Sequence, residues 1–160
     1  MSEQQLVVVG AGPVADALAE MAPLLGWRTT VVASLDDRAD VPPGAQAVVV
    51  TSHDDDVDAA AIGAALRSGA GYVGAMGSRG RQARRREWLL AHGFAEADLA
   101  DVHGPAGIDI GANTPAEIAL SILAELVAAT RGVPTPGSLK EGAGPIHPDL
   151  PPGATYNPQG

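Results

Sequence analysis

The sequence feature that most constrains the fold is a short apolar run that leads directly into a glycine-rich turn. Residues 6–9 read LVVV, and such a continuous β-branched run is typical of a parallel strand buried on both faces. Residues 10–15 then read G-x-G-x-x-A, and apolar residues recur at helical spacing from Val14 to Leu25. The pattern predicts a strand, a tight turn and a helix, which is the arrangement that presents backbone amides to a dinucleotide pyrophosphate.

The rest of the chain continues this alternation. The predicted strands are residues 29–33, 47–51 and 72–76, and the predicted helices are residues 57–68, 79–92 and 96–99. Thr114 and Glu117 form a capping box that begins a last helix. The predicted fold class is α/β, a Rossmann-like doubly wound parallel sheet with helices on both faces in a single domain. We expect a nucleotide-binding domain over residues 1–132 and a Pro/Gly-rich C-terminal tail over residues 133–160, extended or disordered unless it docks.

Composition and charge exclude several classes of protein. The 160 residues carry 10 Lys and Arg against 19 Asp and Glu, a formal net charge of −9, so the chain lacks the overall basic charge of a nucleic-acid binder. It contains no cysteine, which excludes disulfides, thiolate metal ligands and a cysteine nucleophile. No apolar run approaches the ~20 residues that cross a bilayer, and residues 1–5 lack the cationic start of a signal peptide. We therefore expect a cytoplasmic protein that binds neither nucleic acid nor membrane.

The end of the second predicted strand leaves the identity of a bound nucleotide open. A Rossmann domain that binds NAD carries an acid there, which accepts hydrogen bonds from the ribose, whereas this chain has Ala33 and Ser34. Ser34 and Arg38 would suit a phosphorylated ribose, although such residues are more often solvated surface groups. NAD, NADP and no dinucleotide at all are therefore three alternatives.

A second glycine-rich turn follows the strand predicted over residues 72–76. Gly77, Ser78 and Arg79 stand at the start of the next predicted helix, where backbone amides, a hydroxyl and a guanidinium would favour an anion. The arginines at positions 84–86 continue that helix. We interpret these three arginines as a solvent-exposed face that balances an acidic protein.

Histidines and carboxylates supply weaker signals. The acidic segment 54–58 lacks the glycine and glutamate of a calcium loop, so we expect it to cap the following helix, and no metal site is predicted. His53 stands just past the third strand, at the edge where ligands bind such sheets. Asp109 lies between two isoleucines in a glycine-rich segment, which would make it a buried or half-buried acid if that segment is a strand.

These observations define two sets of candidate residues. The candidate catalytic residues are His53, Ser78 and Asp109. The residues predicted to bind a cofactor are Gly10, Ala11, Gly12, Pro13, Val14, Ser34, Thr51, His53, Gly77, Ser78 and Arg79.

Several motifs together resemble the C-terminal Rossmann domain of the XdhC/CoxI family, the accessory proteins of xanthine dehydrogenase and related molybdenum hydroxylases. The matching stretches are residues 10–15, 51–54, 72–79, 103–111 and 114–119, with a tail fragment at 144–147. The motifs Y-V-G-x-M-G-S-R and H-G-P-x-G-x-D-I-G-A are far more specific than the dinucleotide fingerprint alone.

The resemblance implies a role in the maturation of a molybdoenzyme, because members of the family bind molybdenum cofactor, protect it while its sulfur ligand is installed and deliver it to the hydroxylase. Members usually carry a separate N-terminal domain with a cysteine implicated in holding the cofactor, and an acid at the second strand tip. This chain has no cysteine and has Ala33 at that tip. We therefore expect a stand-alone Rossmann half that either holds molybdenum cofactor only together with a partner or binds another ligand.

The expected partner is a molybdenum hydroxylase, a separate protein of the family's N-terminal type, or both, and homo-oligomerisation is left open. Two other functions also remain alternatives. One is an NAD(P)-dependent oxidoreductase that uses His53, Ser78 or Asp109 for proton transfer. The other is a nucleotide-sensing docking module whose arginine-rich face, residues 79–86, contacts an acidic partner.

Overall fold

Five parallel strands form one sheet in the computed structural model, which describes residues 3–33, 41, 44–52, 54–134 and 137–142. The strands are β1 (Gln4–Val9), β2 (Trp27–Val32), β3 (Ala45–Val50), β4 (Tyr72–Ala75) and β5 (Val102–His103). Their order across the sheet is β2-β1-β3-β4-β5. The chain therefore adds β2 on one side of β1 and then returns to add the other strands on the opposite side.

Helices cover both faces of this sheet. The helices are α1 (Pro13–Met21), α2 (Asp55–Ser68), α3 (Arg79–Ala91), the short α4 (Glu96–Leu99) and α5 (Pro115–Arg131). Side chains of α1 and α5 pack with Leu6 and Val8 of β1, whereas side chains of α2 and α3 pack with Val7 and Val9. Successive side chains of a strand point to opposite faces, so a strand covered on both sides is apolar throughout. The predicted doubly wound, Rossmann-like α/β fold is confirmed.

Local signals in the sequence account for the ends of the helices. Gly26 adopts a left-handed conformation, φ 87°, and ends the 3-10 turn Ala22–Leu25 that follows α1. At the start of α5, the Thr114 hydroxyl accepts a hydrogen bond from the Glu117 amide at 3.2 Å. The Glu117 carboxylate accepts from the amides of Asn113 and Thr114, both at 3.0 Å, and these backbone hydrogen bonds lower the pKa of Glu117. The predicted capping box is confirmed.

Part of the predicted C-terminal tail packs on the domain. We call residues 137–142 the C-terminal strap. Ser138 forms an antiparallel bridge with Ile108, and the Leu139 amide donates to the Gly107 carbonyl at 2.9 Å. The strap thus lies against the loop that follows β5. Residues 143–160, including the tail fragment at 144–147, are outside the described residues.

None of the helices in the described part of the chain combines the length and the apolar character needed to span a membrane.

Candidate functional site at the carboxyl edge of the sheet

The carboxyl ends of β1, β3 and β4 bring the two glycine-rich turns to one edge of the sheet. The first residue after each strand donates its amide to the last carbonyl of the neighbouring strand. These 2.8 Å hydrogen bonds join Gly10 to Val32, Thr51 to Val9 and Met76 to Val50. The strand order reverses between β1 and β3, and ligands of open parallel sheets bind at such a switch point.

The first turn lies tightly against the end of β3. Gly10 has φ +115°, and a Cβ atom there would stand 2.7 Å from the Thr51 Oγ1 and 2.9 Å from the Ser52 amide nitrogen. Thr51 is buried, and its hydroxyl donates to the Val9 carbonyl at 3.0 Å. Ala15 is buried where α1 approaches the sheet. The turn is therefore positioned by backbone contacts and close packing.

The second turn is held by side chains of the helix that follows it. Gly77 has φ +124°, and the Ser78 hydroxyl caps α3 by accepting from the Arg81 amide at 3.3 Å. The Gln82 Nε2 donates to the carbonyls of Ala75 and Gly77, both at 3.1 Å. These hydrogen bonds direct the carbonyls of the turn towards Gln82.

Arg79 connects this turn to the C-terminal strap. Its guanidinium donates to the Leu139 carbonyl at 2.7 Å. The arginine predicted to bind an anion therefore also anchors the strap.

An ion pair is buried beneath the second turn. The Arg85 Nη2 lies 2.7 Å from the Asp58 Oδ2, and neither side chain is more than 1% exposed. The other terminal nitrogen of Arg85 donates to the Met76 carbonyl. The interpretation of positions 84–86 as a solvent-exposed face is therefore wrong for Arg85, although Arg84 and Arg86 are exposed.

The acidic segment before α2 also needs correction. Asp54 caps the helix as predicted, because its carboxylate accepts from the Val57 amide at 3.2 Å. Asp58 instead belongs to the core. A sequence signal existed for this position, since Asp58 stands three and four residues before the buried Ala61 and Ile62 and therefore on their face of the helix.

A second buried carboxylate, Glu125, lies on the other side of the sheet and was not predicted. Its Oε1 accepts from the Tyr72 hydroxyl at 2.8 Å and from the Gly107 amide at 3.1 Å, and its Oε2 accepts from the Ser138 hydroxyl at 2.5 Å. The His103 Nδ1 lies 3.4 Å from the Oε1, and the His103 ring stacks on Tyr72 with centroids 4.7 Å apart. The cluster joins β4, β5, α5 and the C-terminal strap.

This cluster shifts the pKa of both acids in it. Burial alone would raise the pKa of Glu125, but hydrogen bonds from His103, Ser138, Gly107 and Tyr72 lower it. Burial, followed by the negative charge of Glu125 and the hydrogen bond to it, raises the pKa of Tyr72 well above its ordinary value. Glu125 is therefore an ionised carboxylate and Tyr72 a neutral donor at neutral pH.

The structure places the predicted site residues as follows. The glycine turn at residues 10–14, Thr51, and residues 77–79 lie at the carboxyl edge of the sheet. Ser34 and His53 lie outside the described residues. In the described ranges, no group of three or more His, Cys, Asp or Glu side chains is arranged to hold a metal ion.

Asp109 is exposed, which corrects the expectation of a buried or half-buried acid. β5 ends at His103, and only Ile108 of the glycine-rich segment forms a bridge, so the segment is a loop rather than a strand. The loop packs closely at Gly107, where a Cβ atom would overlap the Ser121 hydroxyl oxygen. The Asp109 carboxylate accepts from the Gly111 amide at 3.4 Å.

The family model described as the XdhC Rossmann domain matches residues 6–126 of the chain. The chain belongs to the XdhC family. This XdhC Rossmann domain contains both glycine-rich turns, the buried ion pair and Glu125. The resemblance inferred from the motifs is confirmed at the level of the family and the fold.

Two known proteins are similar to this XdhC Rossmann domain. The uncharacterized protein YqeB of Escherichia coli strain K12 is 29% identical over a 154-residue alignment that covers 81% of this chain and 28% of YqeB. A crystal structure from Bacillus halodurans, named a xanthine dehydrogenase, has a TM-score of 0.61 and 24% identity, and the match covers 86% of this chain and 46% of that one. The second likeness shows the fold. The chain spans less than half the length of each of these proteins.

Proposed function

We propose that this domain binds the nucleotide part of a cofactor at the carboxyl edge of its sheet and assists the maturation or loading of a molybdenum hydroxylase. The observation that carries the proposal is the position of the Gly10 turn at the switch point between β1 and β3, with the Gly77 turn after the next strand. Membership of the XdhC family and the likeness to a structure named a xanthine dehydrogenase support the hydroxylase as the class of enzyme served.

The residues at this edge fit the pyrophosphate of a dinucleotide. Gly10 allows the turn to lie tightly against β3, Gly12 lets a phosphate approach the backbone, and the first amides of α1 follow directly. Neither turn contributes an acidic side chain at residues 10–14 or 77–79. NAD, NADP and the dinucleotide form of a molybdopterin share this pyrophosphate.

The chain offers much less to a molybdenum atom than to a phosphate. It has no cysteine, and the part of the chain that the structure describes contains no group of three or more metal-ligating side chains. When bound, molybdenum cofactor supplies the metal centre at which the hydroxylase oxidises its substrate. We therefore propose that the chain holds such a cofactor through its nucleotide and that a partner contacts the metal end.

The test of nucleotide binding is titration calorimetry with NAD and NADP on the wild-type protein and on Gly10→Ala. The added methyl group would meet Thr51 and Ser52, so we expect the dissociation constant to rise at least about tenfold, as the loss of one strong hydrogen bond would produce. Gly26→Ala is the matched control, because Gly26 also has a positive φ but no atom stands within 4 Å of its added Cβ. Equal affinity of the two variants, or no binding of either nucleotide to the wild type, would refute the proposed site.

The choice between NAD and NADP is tested at Ala33, which is exposed at the end of β2. Ala33→Asp would supply the carboxylate that hydrogen-bonds the ribose of NAD and repels a 2′-phosphate. We expect it to favour NAD over NADP by about 1 kcal/mol or more relative to the wild type. An unchanged ratio would show that the ribose does not lie at this strand end.

The role in enzyme maturation is tested by reconstitution. The purified chain is added to a cofactor-free molybdenum hydroxylase from the same organism with molybdenum cofactor, and recovery of hydroxylase activity is followed. We expect wild-type protein to accelerate recovery and Gly10→Ala to be defective. Recovery at the same rate with and without the chain would contradict the role.

A further inference from the structure

Stability alone does not explain why the core contains the buried Arg85–Asp58 pair. Desolvation of two charges offsets most of their attraction, and apolar side chains of similar volume are often equally or more stabilising. Both side chains are nevertheless enclosed on the face of the sheet that α2 and α3 cover. The geometry of the pair gives a reason for retaining it.

The two terminal nitrogens of Arg85 have different partners. Nη2 contacts Asp58 at 2.7 Å, and Nη1 donates to the carbonyl of Met76. A Cβ atom on Gly77 would stand 3.0 Å from Nη1 and 3.3 Å from Nη2. The guanidinium therefore lies directly against the peptide that joins Met76 to Gly77, and Asp58 holds it there.

This contact determines the direction of an amide. In a planar trans peptide, the carbonyl and the following N–H point in opposite directions. Because the Met76 carbonyl faces Arg85, the Gly77 N–H is directed away from Arg85 and the core. Gln82 acts in the same way on the next peptide, where its contact with the Gly77 carbonyl directs the Ser78 N–H to the opposite side.

We infer that Arg85 is a positioning residue for nucleotide binding, which sets the amide of Gly77 towards a phosphate oxygen of the ligand. The inference rests on the proposed nucleotide site and adds a residue that does not itself touch the ligand. Asp58 participates by holding the guanidinium against the turn. Arg85 and Asp58 belong to α3 and α2, so these helices also set the geometry of the binding edge.

The test separates positioning from stability. In the double variant Asp58→Leu with Arg85→Met, both charges are absent and no buried charge is left unpaired, so we expect it to fold with stability close to the wild type. Its NAD or NADP dissociation constant should nevertheless rise about tenfold, because the turn loses its anchor. Ile122→Val, a core substitution on the other face, is the control and should leave the constant within about twofold of the wild type.

Amide hydrogen exchange provides a readout that does not depend on the nucleotide. In the double variant, the hydrogen-bonded amides on either side of the Gly77 turn, those of Met76 and Gln82, should exchange faster, while the hydrogen-bonded amide of Gly10 after β1 keeps its wild-type rate. Arg85→Lys, which keeps the charge beside Asp58 but has one nitrogen for two partners, should show the same pattern more weakly and serves if the double variant does not fold.

Wild-type affinity in a folded double variant, or unchanged exchange at Met76 and Gln82, would overturn the role of Arg85. A wild-type protein that binds neither nucleotide would instead refute the proposed function, and the exchange rates would still decide whether Arg85 holds the turn.

Discussion

Asp58 and Glu125 are both fully buried carboxylates, but they lie on opposite faces of the sheet and are neutralised in different ways. Asp58 contacts the full positive charge of Arg85. Glu125 is surrounded by a tyrosine hydroxyl, a serine hydroxyl, a backbone amide and a histidine. Asp58 thus has a fully charged partner, whereas Glu125 distributes its charge over several weaker donors.

The difference matches what each carboxylate supports. The Asp58–Arg85 pair ends at the Met76 carbonyl and so serves the second glycine-rich turn. Glu125 connects Tyr72 of β4 with Gly107 and with Ser138 of the C-terminal strap, and so serves the packing of chain segments at the β5 end of the sheet. Loss of Arg85 should therefore destabilise the protein strongly, whereas loss of one donor to Glu125 should destabilise it less.

The largest expected effect is that of Arg85→Met alone. It leaves Asp58 as a buried charge without Arg85, and we expect the free energy of unfolding to fall by about 3–5 kcal/mol. Urea denaturation followed by circular dichroism measures this free energy. Adding Asp58→Leu to the same chain should recover most of the loss. If the double variant were as unstable as the single one, the cost would come from packing rather than charge.

Glu125→Gln should have a smaller effect. The amide keeps the shape of the side chain but loses the charge and one of the two acceptor oxygens, while four groups are still directed at the position. We expect a loss of about 2 kcal/mol, the value of hydrogen bonds to a charged group. Glu20→Gln, at an exposed position on α1, is the control and should change the free energy of unfolding very little. A loss at Glu125 no greater than that at Glu20 would show that the network is dispensable.

The pH dependence of stability should also differ between the wild type and Glu125→Gln. The pKa of Glu125 is lowered in the folded state, so its contribution is complete above the ordinary glutamate value of about 4.3 and is lost as the pH falls through the lowered pKa. As the pH falls below about 4.3, the free energy of unfolding of the wild type should therefore decrease more steeply than that of Glu125→Gln. Parallel curves from pH 7 to pH 3 would contradict the ionised state of Glu125.

Ser138→Ala should have the smallest effect. It removes one of the hydrogen bonds to Glu125, and because the other donors stay in place we expect the free energy of unfolding to fall by only about 1 kcal/mol. We expect the amide of Leu139 to exchange faster because the strap opens more often, with little change in the amides of β1. Uniform acceleration across the domain would mean that the strap unfolds only with the whole protein.

Short-range signals account for most of what was predicted correctly. The LVVV run, the two glycine-rich turns and the capping box of Thr114 and Glu117 act over a few neighbouring residues, and the structure places them where their pattern indicates. The burial of Arg85 could not be predicted from its neighbours, because Arg84 and Arg86 are arginines that remain exposed. The exposure of Asp109 could not be predicted either, because it depends on β5 ending at His103, which leaves Asp109 in a loop.

The sequence alone therefore determined the alternation of strands and helices, the fold class and the two glycine-rich turns. The tertiary structure alone decided which charged residues support the second glycine-rich turn and which support the β5 end of the sheet. Arg85 and Asp58 are 27 residues apart in the chain, and Tyr72 and Glu125 are 53 apart. Such pairs form only when packing brings distant segments together and excludes water. The physical reason is that burying a charge is costly everywhere except where the fold supplies its partners.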